Sequence, residues 1–271
     1  MTERVRLQAG KTTLLALTAL GFLCGCGEKD PAAVNAATAA PGPTEDYRAA
    51  PEVLGGARAA NGALQLYGSA SSGAVVRLRS PSGAEQFATA DGGGVWRLSL
   101  APSAEPRLLG LSMSDKGQVV QAVGLLFIAP DGAVARLRTG GGTQASAPSA
   151  PGLAALALDY DNQRAATLSG VSGPHETVIV RVDGVERSQS RADVGGRFVA
   201  SLQPLTAGPH RFVVMGATQQ INFTATVDTP QTPAAAPYSA RREGQGWRID
   251  WRTPGGGGQT TLILGPSEPG A

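Results

Sequence analysis

Cysteine is nearly absent from this 271-residue chain: Cys24 and Cys26 are its only two, and both lie near the amino terminus. Everything beyond Cys26 is without a thiol, which excludes disulfides and cysteine-ligated metals from any folded region there. Histidine is as scarce, with His175 and His210 alone. Each sits beside a proline in an apparent loop, so neither is expected to serve as a catalytic base or metal ligand. The chain shows no nucleophile elbow, phosphate-binding loop or metal-ligand cluster, so no enzymatic activity, catalytic residue or cofactor is expected. No amphipathic helical periodicity is evident beyond the first segment.

At its start the chain carries Arg4, Arg6 and Lys11, then an apolar run from Leu14 to Leu23, then Leu23-Cys24-Gly25-Cys26. This is the order of a secretory signal peptide over residues 1–25, with a run too short to span a bilayer comfortably. The tetrapeptide resembles the lipobox of bacterial lipoproteins. That resemblance implies cleavage after Gly25 and acylation of Cys26 with palmitate-type chains; Leu23 is too large to precede the cut, which excludes Cys24. It also implies a lipid-anchored protein of the bacterial cell envelope. Gly27 stands where an aspartate would favour inner-membrane retention, which implies the outer membrane, with the chain facing the periplasm or the surface. Each buried methylene contributes roughly 0.8 kcal/mol, and two acyl chains already give stable anchoring. Loss of the leader removes three cations and Glu3, so the formal charge of +2 falls to zero. A neutral chain has no electrostatic footprint for nucleic acid, and none is expected as a partner.

Residues 26–59, rich in alanine and proline, bury too little apolar surface to offset the entropy of ordering and are expected to be a disordered tether. From about Ala63 the pattern changes to short alternating runs between glycine and serine turns: Leu64-Gln65-Leu66, Val75 to Arg79, Val95 to Leu100. Further strands are expected at Leu108 to Met113, Val119 to Ile128 and Ala133 to Leu137. Period-two alternation at roughly ten-residue spacing predicts antiparallel sandwiches.

The scheme then recurs about one hundred residues later. Leu66-Tyr67-Gly68 matches Leu168-Ser169-Gly170, Val76-Arg77-Leu78 matches Val180-Arg181-Val182, Ala90-Asp91 matches Ala192-Asp193, and Trp96 matches Phe198. The fold class expected is therefore all-β, with one sandwich over residues 60–138, a linker over 139–152, a second sandwich over 153–228 and a second linker over 229–237. Asp183-Gly184 predicts a two-residue hairpin turn. Residues 238–265 read as a carboxy-terminal β-hairpin: in Trp247-Arg248-Ile249-Asp250-Trp251-Arg252 the apolar residues share one face and the charged ones the other. A lone hairpin is marginal in water, so this one is expected to pack on the second sandwich or on a partner.

The Leu-x-Gly strand end, the Val-x-Val-type strand and the Ala-Asp-x-Gly-Gly turn before an aromatic strand resemble the bacterial immunoglobulin-like modules of envelope proteins, including alphaproteobacterial ones. Some of those carry a LysM domain after the sandwich; no LysM-like segment follows Leu264. The resemblance implies a non-catalytic spacer or binding module of a structural or adhesion kind, with an envelope protein or polysaccharide as partner. One alternative is an accessory or assembly factor for a surface polymer or secretion complex, docking through the hairpin; another is an envelope enzyme with a dispersed site that no motif marks.

Three candidate features remain. Trp247 and Trp251 are either a binding platform or the buried face of the hairpin, the latter being the ordinary outcome. Asp159, Asp161 and Asn162 offer oxygen ligands for calcium at the entry to the second repeat. Glu85, Glu176, Glu186 and Asp193 are acidic, but they sit in apparent turns, where they favour solubility.

Overall fold

The computed structural model describes residues 48–140, 142–146, 152–265 and 268–269. The expected signal peptide, Cys26 and most of the tether lie outside the described residues. The first repeat contains β1 (Glu52–Arg58), β2 (Leu64–Ser69), β3 (Val75–Arg79), β4 (Glu85–Thr89), β5 (Val95–Leu100), β6 (Arg107–Asp115), β7 (Gln118–Gln121), β8 (Leu125–Ile128), β9 (Val134–Leu137) and β10 (Gln144–Ala145). The second contains β11 (Ala154–Asp161), β12 (Ala166–Val171), β13 (Thr177–Val182), β14 (Val185–Arg191), β15 (Arg197–Leu202), β16 (Gly208–Met215) and β17 (Gln220–Val227). β18 (Tyr238–Glu243), β19 (Gly246–Arg252), β20 (Gly258–Ile263) and the short β21 (Glu268–Pro269) follow. All pairings are antiparallel, and no helix occurs among the described residues.

Each repeat is a β-sandwich. In the first, a sheet ordered β1-β2-β5 faces one ordered β10-β9-β8-β6-β3-β4, with β7 also on β6. In the second, β15-β12-β11 faces β14-β13-β16-β17. The repeat is visible in the backbone down to its irregularities. β1 carries a bulge between Val53 and Gly55, and β11 carries its counterpart between Ala155 and Ala157. Asp91 accepts from the amides of Gly93 and Val95, and Asp193 accepts from those of Gly195 and Arg197. The same turn therefore precedes Trp96 and Phe198.

The Leu-x-Gly motif has a steric cause. A Cβ on Gly68 would lie 2.5 Å from Trp96, and one on Gly170 would lie 2.5 Å from Phe198. Each glycine is the floor on which the core aromatic of the neighbouring strand lies. The ring in turn packs with the leucines of its own sandwich, Trp96 with Leu66 and Leu100, Phe198 with Leu168 and Leu202.

The structure corrects several expectations. The tether does not reach residue 59: Arg48 bonds to Asp115 at 3.3 Å, and Glu52–Arg58 is a strand paired with β2. The run expected as one strand from Val119 to Ile128 is broken between β7 and β8, where Gly124 adopts a φ of 85°. Val76 corresponds to Val178 rather than Val180, because Ala90 and Ala192 bond to Ala74 and Glu176 in the same way. The repeats differ in the hairpin itself. The first turns through Ser80 to Ala84, whereas the second turns at Asp183-Gly184, with φ of 53° and 83°, and absorbs the extra length in a β14 bulge.

The carboxy-terminal segment is a three-stranded meander, β18-β19-β20, and not an isolated hairpin. β20 pairs with β11, so the second repeat's sheet continues as β15-β12-β11-β20-β19-β18. Gly68→Ala should lower stability by about 2–3 kcal/mol, the cost of forcing a methyl into a packed core, while Gly110→Ala, which meets only Arg79 O at 3.8 Å, should be far milder. Urea denaturation of the two variants measures the difference.

Candidate functional site

The alternation in β19 places Trp247, Ile249 and Trp251 on one face, and that face is closed. Trp247 is 8% exposed, Ile249 0% and Trp251 1%. They pack with Leu108, Phe127, Ala135 and Leu137 of the first repeat and with Leu156 and Ile263. The hairpin does join the second sandwich, through β20 on β11, but what its tryptophan face covers is different. β19 belongs to the second repeat's sheet, but its tryptophans cover the first repeat. Polar anchors fix the register. Trp247 Nε1 donates to Asp131 at 3.1 Å, Tyr238 Oη donates to the Pro106 carbonyl at 2.8 Å, and Arg242 bridges to Asp131 at 3.0 Å while lying over the Trp247 ring. The tryptophans are therefore an interdomain core and offer no exposed platform.

The opposite face of β19 is buried as well, which strict alternation of apolar and charged residues did not foretell. Arg248 is 2% exposed and donates through Nε and Nη2 to both oxygens of Asp250 at 2.9 and 3.0 Å. Its Nη2 also reaches Asp228 at 2.6 Å, to which Tyr160 Oη donates at 3.1 Å. Burial opposes charge on Asp250, yet the bonds from Arg248 and Thr260 hold its carboxyl below the ordinary range. A bidentate pair of this kind meets its own desolvation only because the remaining lone pairs are also filled. Arg252, next on that face, is exposed.

Asp159 is the buried centre of the junction. Its carboxylate accepts from the amide of Thr143 at 2.6 Å, from the Thr143 hydroxyl at 2.8 Å, from Gln259 Nε2 at 3.2 Å and from the Thr261 hydroxyl at 2.6 Å. Burial pushes its pKa up, against those donors. Thr261 in turn accepts from Trp251 Nε1 at 3.1 Å, so one chain of hydrogen bonds joins the tryptophan face to the segment between the repeats. Thr143, expected in a linker, is 1% exposed, and β10 pairs with β9. Within that linker, Gly141 and residues 147–151 lie outside the described residues.

The calcium candidates do not converge. Asp159 is saturated by donors, Asp161 accepts from the amides of Gln163 and Ala165 in its own turn, and Asn162 has its side-chain oxygen beside Gly258. Among the described residues, no group of three His, Cys, Asp or Glu side chains could hold a metal ion. Glu176 accepts from the amides of Gly173 and Ala217, and Glu85 pairs with Arg77 and Arg79 at 3.3 and 3.5 Å. Asp193 accepts from the amides of Gly195 and Arg197 in its own turn.

His210 is buried rather than solvated in a loop. Nδ1 lies 2.6 Å from Asp183 and Nε2 lies 2.9 Å from the Thr206 carbonyl. Burial disfavours its charged form, but these two acceptors outweigh it and raise its pKa. The histidine bond leads the causes that lower the pKa of Asp183.

One open groove of about 510 Å³ lies at an end of the first sandwich, lined by Leu78, Leu100, Pro106, Leu109, Pro237 and Tyr238, with Glu85 and Arg107 also at its wall. Its lining is mostly apolar, with Ser80, Ser82 and Gln86 adding polar groups.

No protein-family model matches the chain, and no curated protein matches it. Among solved structures it is similar to the central fibronectin-III array of RIM-binding protein at 14% identity and a TM-score of 0.26, over 76% of this chain and 80% of that one. It is similar to the BSP domain of a biofilm associated protein at 14% identity and a TM-score of 0.23, over 62% of this chain and 28% of that one. It is also similar to invasin, a bacterial integrin-binding protein, at 11% identity and a TM-score of 0.21, over 79% and 54%. Likenesses of this size carry no argument about function.

Two outcomes are expected. Trp251→Ala should lower stability by roughly 3–5 kcal/mol, the cost of truncating a buried large aromatic, and calorimetry should show the two repeats beginning to unfold separately. His210 has a raised pKa in the fold, so its contribution is complete below the ordinary value of about 6.5 and is lost as pH rises through the folded value. Asp183, with a lowered pKa, contributes above the ordinary carboxylate range and loses this as pH falls through its folded value. Urea midpoints at pH 5.5 and 8.5 should therefore differ in the parent protein and converge in His210→Gln.

Proposed function

We propose that this chain is a lipid-anchored, non-catalytic spacer and binding module of the bacterial cell envelope. The observation that carries this reading is the shared core around Trp247, Ile249 and Trp251, which joins two β-sandwiches through one buried contact. A spacer needs such a joint, because two sandwiches on a loose linker would reorient freely. The Leu23-Cys24-Gly25-Cys26 motif supplies the anchor, at the outer membrane, and the segment after Cys26 supplies the distance from it. Its partner is an envelope protein or polysaccharide, and the apolar groove beside Tyr238 is suited to apolar groups of that partner. Docking through the tryptophans themselves is not part of this reading, since both rings are buried.

The anchor is tested by metabolic labelling with a palmitate analogue in a bacterial host. Cys26→Ser should abolish incorporation, and Cys24→Ser should retain it. Undiminished labelling of the Cys26→Ser protein would overturn the reading.

A further inference from the structure

β4 ends one sheet of the first sandwich, and its outer edge is unlike those of the terminal strands β14 and β18. In an antiparallel pair, main-chain groups of successive residues point alternately toward and away from the partner strand. Ser80 donates to the Ala84 carbonyl and Ala90 to that of Ala74. The even-numbered residues of β4 therefore bond to β3, and the amides and carbonyls of Glu85, Phe87 and Thr89 point outward. The pairing of β3 with β4 runs from Val75–Thr89 to Arg79–Glu85 without a shift in register. Phe87, at the middle of the strand, is 57% exposed.

The repeat supplies an internal comparison. β14, in the equivalent place, is bulged and carries Glu186, Arg187 and Arg191. The terminal strand β18 carries Arg241, Arg242 and Glu243. Bulges and charges are the devices by which sheet edges refuse further strands. β4 has neither device at its centre, and its one charge, Glu85, is already paired within its own sandwich by Arg77 and Arg79.

We propose that β4 is a self-association edge, pairing antiparallel with β4 of a second copy about a two-fold axis at Phe87. The strand is self-complementary in that register. Phe87 faces Phe87 of the other copy, an aromatic cross-strand pair, and Glu85 falls opposite Thr89, so no like charges meet. All outward amides and carbonyls of these three residues then have partners. The occupant is a second copy rather than a foreign strand because the register places each side chain against one it suits. With only five residues in β4, the interface is small and its dimer is concentration-dependent.

The test uses the full chain. In a hydrogen-bonded antiparallel pair the Cα atoms lie about 5.5 Å apart, within disulfide range. Phe87→Cys should therefore give a reducible dimer in expressing cells under mild oxidation. The parent protein and Val194→Cys, a control on an exposed site of the second repeat, should not. Phe87→Pro removes an outward amide and leaves the ladder to β3 intact. In sedimentation velocity of the detergent-solubilised protein it should weaken association at least about tenfold, a change of about 1.4 kcal/mol, with melting unchanged. Should Phe87→Pro fail to fold, Phe87→Lys, which sets two like charges opposite each other, serves the same purpose. Crosslinking no better than Val194→Cys, association untouched by the folded variant, or a monomeric parent that instead takes up a foreign strand would each overturn the proposal.

Discussion

The contact on which the rest of the structure depends is that of Trp247, Ile249 and Trp251 with Phe127, Ala135 and Leu137. Tandem sandwiches each have a core of their own, and nothing in a repeat obliges it to hold its neighbour. Here the obligation comes from strands that belong by hydrogen bonding to one repeat and by side-chain burial to the other. β20 extends the second repeat's sheet, and β19 turns its apolar face to the first. Buried apolar area at roughly 25 cal/mol per Å² makes separation of the repeats costly. The Asp131, Pro106 and Asp159 bonds then fix how they meet.

The two repeats have diverged where that joint demands it. At the position of Tyr67, which is exposed in the first repeat, the second has Ser169, buried and donating to the Thr143 carbonyl at 2.6 Å. At the position of Ala57 the second repeat has Asp159, which gathers Thr143, Gln259 and Thr261. One face of the same sheet is open in one copy and covered by Thr143 and its neighbours in the other. The differences read as a record of what covers each face rather than as drift.

Much of this was legible in the sequence because it consists of backbone requirements. Leu-x-Gly and Asp-x-Gly-Gly recur because a ring must lie on bare backbone and a turn must be capped, so the duplication and the sandwich class could be read directly. β1 escaped because Gly55 and Gly56 make it resemble a tether; yet a Cβ on Gly55 would meet the Tyr67 hydroxyl at 2.5 Å, so the Tyr67 ring lies against bare backbone there. In β19 alternation identified the two faces but not what covers them. Arg248 and Asp250 looked solvated because charge normally is; their spacing of two on one face, which lets them neutralise each other, was the available signal. Thr143 sits in a run of small residues with nothing local to show that Asp159 awaits it.

The pairing of β11 with β20 also sets an order of events in biosynthesis. The two strands lie about one hundred residues apart in the chain, and contacts of such separation form late. While the polypeptide emerges amino-terminal end first, the first sandwich has all its strands long before β20 appears. β11 meanwhile presents an uncapped edge to whatever surrounds it. A chain of this design has a vulnerable interval between the two halves of its synthesis, during which any factor that binds extended strands would act on β11.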